Sequence, residues 1–141
     1  MRRELIIAAA AAIAMGLASE ARARPIPDGG VTPDEVARVM QNRGFRAEIT
    51  TTEDGRPLIK STSGGYRFGV YFYGCKQDRC PTIQFASAFD MADGLSLKRI
   101  NAWNRSSRFG RAYLDDESDP FVEMDVDVEN TASPPRRWPT T

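Results

Sequence analysis

Two cysteines and a scatter of carboxylates are the residues of this chain with most chemistry in them. Cys75 and Cys80 enclose Lys76-Gln77-Asp78-Arg79. That spacing suits a structural disulfide across a hairpin, whereas a redox pair commonly has two intervening residues and a helix N-terminus that stabilises the thiolate. Asp125 and Asp127 stand two apart, so on a strand they share a face, as an acid/base pair would. The wet side of a strand has the same spacing, and that reading is preferred. The run from Asp115 to Asp119 offers carboxylates at alternate positions, as a calcium loop does. However, Pro120 stands where such a loop needs glycine, and Val126 stands in place of its terminal glutamate. A solvated turn is the better account. The chain has no histidine. That removes the usual general base near neutral pH, the commonest zinc ligand and every Ser-His arrangement. The residues therefore predict a binding module with no catalytic, metal-binding or cofactor-binding set. An enzyme or thiol redox protein using Asp125/Asp127 or Cys75/Cys80 is the alternative.

A second group is polar and aromatic. Asn101, Trp103, Asn104 and Arg108 lie close together in sequence, with Lys98 and Arg105 nearby. On a helix the basic residues look outward and could hold an anion, although a solvated face reads the same. The asparagines beside Trp103 have no apolar role. They either fix a neighbouring loop, the favoured reading because buried polar groups usually bond backbone, or present a polar site.

The elements that must position these residues can be read from pattern. Thr32 is an N-cap, Pro33 the first helical residue, and Glu35 closes a capping box, with Val31 and Val36 placed as a staple. Val36, Val39 and Met40 make the apolar stripe, and Gly44 ends the helix. Extended runs follow at Glu48–Thr52 and Pro57–Thr62, turned by Asp54-Gly55. Tyr66–Gly74 and Thr82–Phe89 flank the cysteines. If the cysteines face each other, Phe72 opposes Ile83, Val70 opposes Phe85, Phe68 opposes Ser87 and Tyr66 opposes Phe89. The large apolar residues then share one face; Tyr71, Tyr73, Thr82, Gln84 and both cysteines take the other. A second helix starts after the N-cap Ser96 and turns Leu97, Ile100 and Trp103 inward. Strands Gly110–Leu114 and Phe121–Val128 close the domain, the last alternating apolar and acidic residues. The fold class is α+β, an antiparallel sheet with two helices in the order α-ββββ-α-ββ. Val36, Met40, Ile100 and Trp103 are expected to cover the sheet.

The ends carry different signals. Met1-Arg2-Arg3-Glu4, an uncharged apolar run from Leu5 to Ala18, and Ala21-Arg22-Ala23 read as a cleavable signal peptide with Arg24 as the new N-terminus. The apolar run is shorter than the roughly 20 residues a membrane span needs, so no anchor is expected after cleavage. The expected location is the periplasm or outside the cell. Cleavage removes three arginines and two glutamates, leaving 16 basic and 17 acidic side chains. So even a balance gives no electrostatic case for nucleic acid. The domain organisation is then signal peptide 1–23, leader 24–30, one domain 31–129, and a disordered polar tail 130–141.

Phe72-Tyr73-Gly74-Cys75 with Cys80, Ile100-Asn101-Ala102-Trp103-Asn104, Arg108-Phe109-Gly110-Arg111-Ala112-Tyr113 and Met124-Asp125-Val126-Asp127 together resemble the YbjN-domain family. The resemblance runs from about Val31 to Val128. Its members are labelled putative bacterial sensory transduction regulators, and it implies a fold similar to type III secretion chaperones. It implies no catalytic residues, and it implies a regulatory, chaperone-like role. Family members often continue into a further helix, where this chain has Ser133-Pro134-Pro135-Arg136-Arg137-Trp138-Pro139, which proline makes a poor helix. An apolar patch near the final strand is therefore expected to stay open, for a protein partner or a second copy in a homodimer to cover.

Overall fold

A computed structural model describes residues 25–129. The expected signal peptide with Ala21 and Ala23, the leader residue Arg24, and the tail from residue 130 lie outside the described residues.

Helix α1 spans Pro33–Asn42, entered through the capping box of Thr32 and Glu35. Four strands follow, β1 (Glu48–Thr51), β2 (Pro57–Ser63), β3 (Tyr66–Tyr73) and β4 (Thr82–Ala88). Helix α2 (Leu97–Ser106) leads to β5 (Arg111–Leu114) and β6 (Pro120–Asp127). The strands form one six-stranded sheet in the order β1-β2-β3-β4-β6-β5, with every neighbouring pair antiparallel. The chain thus crosses from β4 through α2 to the far edge before β6 returns beside β4. The α+β class and the order α-ββββ-α-ββ agree with the sequence pattern.

The central hairpin takes the expected register, with Val70 opposite Phe85 and Phe72 opposite Ile83. Period-two alternation then puts Ile59, Phe68, Val70, Phe72, Ile83, Phe85, Met124 and Val126 on one face. Both helices lie on that side. Ala37 and Met40 of α1 join Ile59, Val70, Phe72, Cys80 and Ile83 in the buried core, with Val31 and Val36 packed against it. The other helix sits at the opposite edge, over β5, where Ile100 and Ala112 are buried.

Three expectations change. Val39 is 62% exposed, because Ala37 rather than Val39 turns inward from α1. Leu97 is 69% exposed at the first residue of α2, whose buried residue is Ile100. Cys80 does not share the polar face with Tyr71 and Tyr73; it is fully buried in the core cluster. The alternation fails one residue before Cys75. Gly74 has φ 67°, a left-handed conformation that glycine takes without steric cost, so the hairpin leaves the sheet's pleat there. Cys80 then pairs with Val31 instead, each N–H donating to the other's carbonyl at 2.8 and 3.0 Å. The segment that enters α1 is accordingly bound to the base of the hairpin.

Candidate functional site

At the hairpin tip, Gln77 and Asp78 both have positive φ (49° and 69°), which makes a two-residue type I′ turn. Lys76 and Arg79 exchange backbone hydrogen bonds across it. The next pair outward, Cys75 and Cys80, is joined by a disulfide with Cα atoms 4.0 Å apart. Arg79 reaches back from the tip, donating to the Gly30 carbonyl (3.1 Å) and to Glu35 (2.9 Å). Glu35 also accepts from the Thr32 N–H. That backbone bond first, and Arg79 with it, holds the Glu35 carboxyl below its ordinary value. The cysteines therefore belong to a clasp joining the hairpin to the start of α1.

Asn104 has an equally definite place. Its side-chain amide donates to the Ala112 carbonyl at 3.0 Å and accepts from the Ala112 N–H at 2.8 Å. Ala112 lies on the edge strand β5, so the amide stands in for a neighbouring strand and pairs both groups it would have met. Trp103 is half-buried, its ring tip 3.6 Å from where a Cβ on Gly110 would stand. Asn101 and Arg108 are exposed.

A family model described as YbjN, putative bacterial sensory transduction regulator, matches residues 32–135. The chain belongs to the YbjN family. No curated protein and no solved structure matches it. In this YbjN chain, the Asn-x-Trp-Asn and Arg-Phe-Gly-Arg-Ala-Tyr segments meet where α2 packs on β5, a structural junction made by Asn104, Trp103, Gly110 and Ala112.

The carboxylates on the bare face of the YbjN sheet are likewise engaged. Glu123 accepts from Arg111 Nε and Nη2 (3.0 and 2.7 Å) through one oxygen and from the Tyr113 hydroxyl (2.8 Å) through the other. Asp125 accepts from the buried Gln84 amide at 2.8 Å and lies 3.4 Å from Arg111. Gln84 in turn accepts from the Tyr73 hydroxyl. Burial pushes the Tyr113 phenol up, and its bond to Glu123 adds to the shift. Asp127 accepts from the Glu129 N–H. The oxygens of Glu123 and Asp125 are occupied by fixed donors, an arrangement that ties strands together. The acidic turn is also internally bonded, Asp115 accepting from the N–H groups of Glu117 and Asp119. Among the described residues no cluster of metal-ligating side chains forms.

Among the described residues an apolar strip is left uncovered by either helix. Phe45 meets Phe68 edge-on with ring centres 6.4 Å apart, Phe68 lies 6.4 Å from Phe85, and Phe85 stands opposite Met124. This strip crosses the helical face of the sheet from the end of α1 to the α2 side. Met124 is 38% exposed and Phe45 40%. Phe45 was not singled out by pattern, because it lies in the loop past Gly44. Aromatics spaced by two on the facing strands were the available signal.

Proposed function

We propose that this YbjN chain is an exported, non-catalytic binding module of the bacterial envelope that docks a partner protein on the Phe45–Phe68–Phe85–Met124 strip. The observation that carries the reading is the strip itself, a contiguous apolar and aromatic surface that neither helix covers. Large exposed patches of this kind mark interaction sites, and aromatic residues with methionine are favoured at their centres. The family description supports a regulatory role, and the engaged carboxylates of Glu123 and Asp125 support the absence of chemistry. The partner segment is apolar on one side, and covering it is chaperone-like behaviour. The signal-like N-terminus supports export to the periplasm or beyond.

In-cell crosslinking tests this. A photoreactive residue at Met124 should capture a discrete protein in the envelope fraction, and one at Glu53, on the distant turn between β1 and β2, should not. N-terminal sequencing of the envelope form should begin at Arg24. Equal capture from both positions, or Met1 retained in that fraction, overturns the reading.

A further inference from the structure

Both helices occupy one face of the sheet, and among the described residues no helix covers the other. We infer that this bare face is where a second copy of the chain docks, sheet against sheet. The inference concerns the face opposite the apolar strip, so it stands or falls independently of the function proposed above.

The argument rests on one row of residues running across all six strands. In spatial order it reads Glu48, Lys60, Gly69, Ala86, Glu123, Arg111, each paired with the next. A two-fold axis along the strands, between β3 and β4, lays the first strand of one copy over the last of the other. Glu48 then faces Arg111 of the second copy, Lys60 faces Glu123, and Gly69 faces Ala86. Each contact occurs twice, as an isologous interface requires. Every charge in the row meets its opposite, and at the centre Ala86 lies beside Gly69, which is buried beneath the Tyr71 ring and Leu58. Other rows agree. Arg56 lies over the Tyr73 ring on the β2 side, and Asp127 occupies β6 in the row of Tyr73 and Thr82. The same operation brings Arg56 and Asp127 together, while Tyr71 faces Gln84.

The surface is also prepared for docking. Gln84, Glu123, Arg111 and Tyr113 are already held by mutual hydrogen bonds, so little side-chain freedom remains to be lost on association. Glu123 is only 13% exposed at its side chain, which keeps its charge at the surface but fixed. Six strands about 4.8 Å apart, with about six residues each, present a footprint of about 500 Å² per copy, about 1,000 Å² for the pair. That is the lower bound of a specific interface. Aligned packing at roughly 10 Å between sheets is a standard arrangement for such faces.

Sedimentation equilibrium of the full chain lacking residues 1–23, over a micromolar concentration series, tests the inference. A dimer is expected. Ala86→Arg places a bulky charge at the centre, and Lys60→Glu sets like charges against Glu123 twice. Each should weaken the dimer about tenfold or more, because like-charge juxtaposition across an interface is strongly unfavourable. Their thermal midpoints should stay near that of the parent diluted to monomer, because Lys60 is exposed and Ala86, half-buried, points to the bare face. Met124→Lys, on the opposite face, should leave the dimer intact. A parent chain that stays monomeric throughout overturns the inference. So does a dimer that persists in both bare-face variants, or one that Met124→Lys dissolves.

Discussion

Asn104 shows how much one side chain carries when it replaces a strand. The Ala112 N–H and C=O point away from β6, toward the open edge of the sheet, and the amide satisfies both. Asn104→Ala leaves them to water at a crowded junction, with an expected loss of about 1–2 kcal/mol in urea unfolding. Amide exchange at Ala112 should quicken. Asn104→Asp should not rescue, because a carboxylate accepts from the N–H but faces the carbonyl with no donor. The sequence offered two readings of the asparagines, fixing a neighbouring loop or presenting a polar site, and Asn104 instead bonds the backbone of an edge strand at Ala112. Trp103 was less legible. Its apolar spacing with Ile100 suggested a place over the main core, but α2 lies along the edge strand, and sequence does not show how far a helix reaches across a sheet. The aromatic cost of about 3–5 kcal/mol for truncation to alanine therefore belongs to Phe72, which is 1% exposed at the centre. Half-buried Trp103 should cost less than Phe72 in the same denaturation series.

At the scale of elements, the disulfide hairpin and the first helix behave as one unit. Gly30 is buried with φ 92°, and a side chain there would collide with the Cys80 backbone. Gly30→Ala should thus unfasten the clasp and lower the melting temperature, although no charge or large side chain is lost. Cys75→Ser removes only the cross-link, about 2 kcal/mol for so short a loop by chain entropy. Cys80→Ser should cost more, since it also places a hydroxyl in the apolar cluster with Val70 and Met40. The clasp has a pH dependence with a definite sign. Glu35 has its carboxyl pKa lowered from 4.5 in the folded chain. Its contribution is therefore present above pH 4.5 and is lost as pH falls through the lowered value. Melting temperature should drop on acidification through that window, and Glu35→Gln should flatten the drop. The capping box was plain in the sequence because its residues are local. The partnership of Glu35 with Arg79 was not, since it joins positions far apart through a turn whose type depends on φ at Gln77 and Asp78.

The sheet has two faces of different character, and parity is what makes the division. Along β6, Met124 and Val126 turn toward the helices while Glu123, Asp125 and Asp127 turn away. Alternation was legible from the sequence, whereas the extent of helical cover was not. Among the described residues the helical face is left incomplete between the end of α1 and α2, and the strip from Phe45 to Met124 lies in that gap. A hydrophobic dye should bind the folded protein there. Met124→Lys tests the assignment cleanly because Met124 is partly exposed and outside the buried cluster. Surface changes of this sort usually alter stability by about 0.5 kcal/mol or less, so unfolding should be nearly unchanged while dye fluorescence falls by more than about half. Ala86→Arg, on the other face, should leave the dye signal as it is. A Met124→Lys protein that binds dye as strongly as the parent would place the apolar surface elsewhere, and would remove the strip as the docking site for a partner.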